Sequence, residues 1–144
     1  DETPEPDDVE LDVLTYEAAG GTEHFLSFED PVRDLLVGFC RLRFPSFADG
    51  QPGAPGTESD AIRHELEDAA LIRELHVYGS EVTLGGDGDW QHQGYGRQLI
   101  ERAESLAREA GYRKMAIISG IGAREYYRRK LGYHQDGPYV SKRL

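Results

Sequence analysis

Residues 90–97 read Trp-Gln-His-Gln-Gly-Tyr-Gly-Arg, and a clear helical periodicity follows them. The first turn of a helix presents unpaired N–H groups and a partial positive charge, which makes it a natural seat for a phosphate. Gly94 and Gly96 have no Cβ, so a ligand can come close to the backbone there, and Gln91, His92 and Gln93 add polar side chains just ahead. The same glycines would equally serve tight packing of helix on sheet, and a lone G-x-G does not decide between the uses. Two familiar phosphate-binding patterns are missing: GxxxxGK[ST] does not occur, and no G-x-G-x-x-G directly follows a strand. The spacing therefore calls for some other cofactor with a phosphate handle.

Three further groups could do chemistry. Glu74 and His76 alternate with Leu75 and Val77 in an extended segment, so both carry their side chains to one face. Either could polarise water or deprotonate a nucleophile, while His76 could equally be a hydrogen-bonded interior histidine. Tyr126 and Tyr127 are adjacent on an expected helix and cannot both face the core, so one is structural or substrate-facing. Asp87-Gly88-Asp89 has too few companion ligands for a metal and reads as a solvated turn, so no metal site is expected.

Composition narrows the class of protein. The 144 residues suit one domain, long enough to bury roughly 68–70% of its unfolded surface. A net charge of −11 argues against a free-standing nucleic-acid binder, which needs clustered Lys and Arg. Lys stands only at 114, 130 and 142, and an acidic, Lys-poor surface also suits concentrated salt, where screening shortens to about 3 Å at 1 M. The single Cys40, within the apolar run LLVGFC, excludes an intrachain disulfide and a cysteine-rich zinc or iron–sulfur site in this chain. No apolar run reaches membrane-spanning length and the N-terminus is acidic, so a cytoplasmic chain with no membrane partner is expected.

The elements that must position these residues follow from periodicity. DETPEPDD, residues 1–8, is read as an acidic linker or frayed end. Residues 9–18 alternate, with Leu11, Val13 and Thr15 on one face, and Gly20-Gly21 signals a hairpin into EHFLSFE. After the DPVRD turn, LLVGFCRLRF is nearly continuous in apolar residues and should be central, completing an antiparallel meander. Residues 45–60 are rich in Pro and Gly and read as a surface insertion, and AIRHELED is expected to form a short helix. Residues 69–79 make a strand, SEVTLGGDGDW a loop, and Leu99, Ile100, Ala103, Leu106, Ala107 and Ala110 the apolar face of a helix stopped by Gly111. Glu104 and Arg108 are expected on its polar face. RKMAIISG closes a right-handed strand–helix–strand unit with parallel strands. GAREYYRRKLGY should be a second helix capped by Gly132, and HQDGPYVSKRL a terminal hairpin.

At this point a resemblance enters. Gln91-x-x-Gly94-x-Gly96 resembles the Q/R-x-x-G-x-G/A signature of the GNAT superfamily, whose backbone amides cradle the pyrophosphate of acetyl-CoA. RELHVYG, QHQGYG, ISGIGAREYY, LGY and GPYVSKRL, in that order, resemble the acetyltransferase half of the Elongator catalytic-subunit family over nearly the whole chain. The long SEVTLGGDGDW loop, absent from ordinary GNAT enzymes, is similar to that group as well. The resemblance implies an α+β fold of GNAT acyl-CoA N-acyltransferase type over residues 9–144, with a mixed, mostly antiparallel sheet and helices on both faces.

It also implies a function. Enzymes of that family add an acetyl-derived carboxymethyl group at carbon 5 of the tRNA wobble uridine, using a covalently linked radical-SAM half with an iron–sulfur cluster and S-adenosylmethionine. The CxxxxCxxC-like ligands of that half are missing here, so the resemblance implies that only the acetyl-CoA half is present and that tRNA is met through a full-length enzyme. Cofactor contacts map to Glu74, Leu75, His76 and Val77 along pantetheine, and to Gln91, Gly94, Tyr95, Gly96 and Arg97 at the pyrophosphate, with Tyr126 and Tyr127 nearby. Tyr127 matches the position beside the CoA sulfur, where a phenol, with an ordinary pKa of about 10, can act as general acid to a departing thiolate. The chain reads YYRRKLGY, one residue longer than the family's YYRKLGY, so counting from Ala123 selects Tyr127 while counting back from Gly132 does not. Local contact with RNA would fall to Arg128-Arg129-Lys130 and to Lys142-Arg143. Two other uses of the same fold stay open: a protein lysine N-acetyltransferase, and a module that binds acetyl-CoA without turning it over.

Overall fold

A computed structural model describes residues 3–45, 69–78, 90–118, 131–137 and 139–144, with the backbone alone for 90–93. The expected insertion after Pro45, the AIRHELED helix, the 79–89 loop and the helix bearing Tyr126 and Tyr127 lie outside these residues. Seven strands form one sheet: β1 (Glu10–Ala18), β2 (Gly21–Asp30), β3 (Leu35–Phe44), β4 (Ala69–Val77), β5 (Lys114–Ile117), β6 (His134–Asp136) and β7 (Tyr139–Arg143). Their order across the sheet is β1-β2-β3-β4-β5-β7-β6, and only β4 and β5 run parallel. The meander, the crossover and the terminal hairpin are as the sequence predicts.

The first hairpin shows how closely local chemistry sets register. Ala19 and Gly20 both take positive φ, 50° and 81°, as a two-residue type I′ turn requires. Gly21 instead opens β2, where a Cβ would stand 2.7 Å from both Arg43 Nη2 and Phe44 O. Arg43 lies across this end, donating to Ala18 O, Ala19 O and the buried Glu23 carboxylate. The next turn is tied by Asp30, fully buried, which accepts from the N–H of Glu5 and of Arg33 and from the Arg33 guanidinium. Burial alone would raise the Asp30 pKa, but these hydrogen bonds reverse the effect and hold it below the usual range. Arg33 also pairs with Asp8 at 2.9 Å, so Pro6–Asp8, a single 3-10 turn in the stretch read as linker, is fastened to the sheet.

The helix α1 (Trp90–Glu109) covers β2, β3 and β4. Leu99, Ile100, Ala103 and Ala107 are fully buried against Leu26, Cys40, Leu42, Ile72 and Met115. It ends in a Schellman motif: Tyr112 N–H donates to Ala107 O and Gly111 N–H to Arg108 O, both at 3.0 Å, with Gly111 at φ 96°. Two residues depart from the expected faces. Ala110 is exposed, and Glu104 is buried, accepting from Tyr133 Oη at 2.7 Å and Lys142 Nζ at 3.2 Å. That network bolts the helix to β7 and occupies Lys142. Strand β1 departs too: Leu11, Val13 and Thr15 are exposed because α1 does not reach this edge. Among the described residues no helix is long and apolar enough to cross a membrane.

His24 gives a test of this packing. Its Nδ1 lies 2.9 Å from Thr15 Oγ1, while its Nε2 is buried without a hydrogen-bond partner, and burial holds its pKa below the usual 6.5. The unfolded chain therefore takes up the proton first as pH falls through 6.5, so this stability is present above that pH and is lost below it. In His24→Gln, urea unfolding should show a shallower loss of stability between pH 7 and 5 than in the parent; identical slopes would contradict the assignment.

Candidate functional site

The site forms where β4 leaves β5. Ala69–Ile72 pair in parallel with Lys114–Ile117, and Ile118 N–H donates to Ile72 O at 3.0 Å. Opposite β3, Arg41 pairs with Glu74 while Leu42 pairs with Ile72, so Arg73 is one residue too many: a β-bulge. An extra residue bends its strand and raises the local twist. Beyond it, Glu74–Val77 stay paired with β3 but have no strand partner on the β5 side among the described residues. Their free N–H and C=O groups are available to an amide-bearing ligand.

The bulge also changes which side chains face outward. Ala70 and Ile72 lie in the core beneath α1, and strict alternation would send Glu74 and His76 there as well. The inserted Arg73 shifts the parity: Leu75 packs on the core, and Glu74 and His76 are exposed on the opposite face. His76 is thus not the interior histidine that composition allowed. Glu74 is engaged by Arg41 at 3.2 Å. The Arg73 guanidinium lies 3.5 Å from Glu23, which the buried Arg43 already binds at 2.9 Å, tethering the bulge to the hairpin end. Gly38 on β3 makes room for this course, since a Cβ there would stand 2.9 Å from His76 O. Sequence reading did not single out Gly38 or Arg73.

On the helix side, α1 opens at Trp90, one turn ahead of the glycine pair. Glycine costs only about 1 kcal/mol in a helix interior, too little to delay a start for which Asp89 is a favourable cap type. The unpaired N–H groups therefore belong to residues 90–93, and Gly94 and Gly96 sit behind them on the flank. A Cβ at Gly94 would meet nothing within 4 Å, and one at Gly96 only Val77 Cγ2 at an ordinary 3.7 Å. Neither glycine takes a positive φ. Among the described residues, backbone strain and packing thus demand neither; Gly96 is itself buried and Gly94 half-buried, so the open flank lies at Gly94. Tyr95 between them turns inward, its ring 5.1 Å from Phe28, and burial together with the Asp30 charge raises its pKa. Arg97 is exposed, with Nε 3.3 Å from Glu101. Nothing is described of the Gln91 side chain or of Tyr126 and Tyr127.

A family model described as Acetyltransferase (GNAT) family matches residues 1–133. The chain belongs to that family. Its fold is the GNAT fold, and its likeness to known members is close. Elongator complex protein 3 of Dictyostelium discoideum is 50% identical over 96% of this chain and 23% of its own length. The tRNA uridine(34) acetyltransferase of Methanocaldococcus infernus is 45% identical over 98% of this chain and 25% of its own length. The solved archaeal Elp3 of M. infernus superposes with a TM-score of 0.77 at 44% identity, over 98% of this chain and 31% of that one. The chain thus spans about a quarter of the curated relatives it matches. GNAT enzymes are acyltransferases that use acetyl-CoA. Among the described residues, the edge of β4 beyond Ile72 and the side of α1 at Gly94 leave room for such a ligand.

Gly94→Leu provides the test. With no neighbour to strike, the variant should keep its melting temperature or gain about 0.5–1 kcal/mol of helix stability. Calorimetry should show its acetyl-CoA affinity falling at least about ten-fold. Normal binding by a well-folded Gly94→Leu would remove the open-flank assignment.

Proposed function

We propose that this chain is the acetyl-CoA-binding acetyltransferase domain of an enzyme that carboxymethylates the tRNA wobble uridine at carbon 5. The carrying observation is the parting of β4 from β5 at Ile72 beside a side-chain-free helix flank. The name tRNA uridine(34) acetyltransferase, borne by a relative 45% identical over 98% of this chain, supports the choice of acceptor. In this reading a radical-SAM domain, covalently linked and carrying the iron–sulfur cluster and S-adenosylmethionine, generates the radical, and the whole works on tRNA in the cytoplasm.

Acetyl-CoA, when bound, supplies an activated acetyl group as a thioester. The N–H groups of residues 90–93, with Gln91, hold the pyrophosphate by dipole and hydrogen bond. Gly94 and Gly96 keep the approach clear, and Arg97, exposed beside them, adds a positive charge. The main chain of Glu74, Leu75, His76 and Val77 accepts the pantetheine arm as an additional strand would, through groups that β5 leaves unpaired. Tyr126 and Tyr127 lie outside the described residues; in this reading the Tyr127 phenol would donate a proton to the departing CoA thiolate. A lysine acceptor is less favoured, because the Glu74 carboxylate, on the strand that carries the open edge, is engaged by Arg41. Of the cations expected to meet RNA, Arg128-Arg129-Lys130 lie outside the described residues and Lys142 is bound to Glu104, so among the described residues that role rests on the exposed Arg143.

Tyr127→Phe separates binding from proton donation. The variant should bind acetyl-CoA as the parent does and release CoA thiol roughly 10²-fold more slowly when tRNA and the radical-SAM domain are present. Unchanged thiol release would remove the acid role, and lost binding would make Tyr127 a ligand contact instead.

A further inference from the structure

β1 is the outermost strand of the sheet, and its outer edge has no strand partner among the described residues. Every residue from Glu10 to Glu17 is exposed. Leu11 and Val13 lie on the α1 side, opposite Phe28 and Leu26 of β2, while Leu14 and Tyr16 lie on the other side, opposite Phe25 and Glu23. These four make up half of the exposed large hydrophobic side chains among the described residues, and Leu14 is 63% exposed. Natural edge strands are blunted by a lysine, a proline, a bulge or a short length. β1 has none of these: it runs nine residues, ELDVLTYEA, in unbroken register with β2.

We propose that β1 docks a second copy of this chain, the two strands pairing antiparallel about a two-fold axis at Leu14. Apolar side chains on both faces, on either side of an open row of backbone groups, are covered together by a strand that continues the sheet. A helix laid on the sheet covers one face alone. The first turn fixes which backbone groups point outward. A two-residue turn closes on a hydrogen-bonded pair, here Ala18–Gly21, so Tyr16, Leu14, Asp12 and Glu10 also bond to β2. The N–H and C=O of Leu11, Val13, Thr15 and Glu17 therefore face the open edge. The register that uses the whole strand sets Glu10 against Ala18, Leu11 against Glu17, Asp12 against Tyr16, Val13 against Thr15, and Leu14 against its own copy. Each of the strand's acids, Glu10, Asp12 and Glu17, then meets a neutral residue, so the edge is complementary to itself.

Strength and salt response follow from size and charge. Two such strands fall well short of the roughly 20–30 residues a side of a standard interface, so the dimer is weak, with a dissociation constant of about 10–100 μM. A net charge of −11 on each copy opposes approach, so added salt strengthens the contact. The proposal does not depend on acetyl-CoA, because β2 and β3 separate this edge from the open side of β4.

Sedimentation equilibrium of the chain from about 5 to 500 μM tests it. Monomer should give way to dimer across that range, with a dissociation constant at least about three-fold lower at 1 M salt than at 0.05 M. Leu14→Lys sets cation against cation at the axis and should leave a monomer that melts and binds acetyl-CoA as the parent does. Leu14→Cys should form a disulfide-linked dimer on mild oxidation, since the paired Cα atoms there stand about 4.5 Å apart. Tyr16→Cys, whose copy lies four residues further along the strand, should not, and the buried Cys40 takes no part. A monomer throughout would overturn the proposal. So would a dimer indifferent to Leu14→Lys, or one cross-linked equally well by Tyr16→Cys, since the contact would then lie elsewhere or in another register. A dimer that salt dissolves would be held by ion pairs and would overturn it too.

Discussion

Parallel strands share hydrogen bonds only while both hold one course, and β4 changes course at Arg73. One inserted residue has two consequences here. It bends β4 where its pairing with β5 ends, and among the described residues Glu74–Val77 have no strand partner on that side. It also reverses the alternation of side chains, so that Glu74 and His76 face outward where Ala70 and Ile72 face the core. The open main chain and the outward course of Glu74 and His76 are therefore products of the same local defect in the ladder. A regular strand of the same composition would bury Glu74 and His76 beneath α1 and close the gap.

Such a defect persists only if its surroundings fix it. On one side Gly38 admits the His76 carbonyl, which any Cβ there would displace. On the other, the Arg73 side chain reaches the buried Glu23–Arg43 pair, and Arg43 in turn holds the two carbonyls of the first hairpin turn. Buried ion pairs are weak evidence for stability, and fixing one geometry is the use that suits this one. The helix is secured independently, by fully buried residues on one face and by Glu104 bonded to Tyr133 and Lys142. The open edge of β4 and the flank of α1 thus face each other across Val77 and Gly96, with rigid support behind both.

Much of this was legible in the sequence where one signal governs one element. Alternation located the meander, helical spacing gave α1 its buried stripe, and Gly111 marked its end. The misreadings share a cause: a nonlocal contact outweighed a local pattern. Glu104 looks like half of a surface pair with Arg108, yet Tyr133 and Lys142, distant in sequence, draw it inside. Leu11 and Val13 look like a core face, yet β1 lies beyond the reach of α1. The Arg73 bulge has no compositional mark at all, because a bulge is a relation between two strands.

Acetyl-CoA held by main chain rather than by side chains is the central claim, and backbone amide hydrogen exchange reads it directly. On adding acetyl-CoA, protection should rise at Arg73–Val77 and at residues 90–96, while the first hairpin and β7 stay unchanged. Exchange that does not change at those two segments under saturating ligand, or protection confined to other strands, would contradict the account.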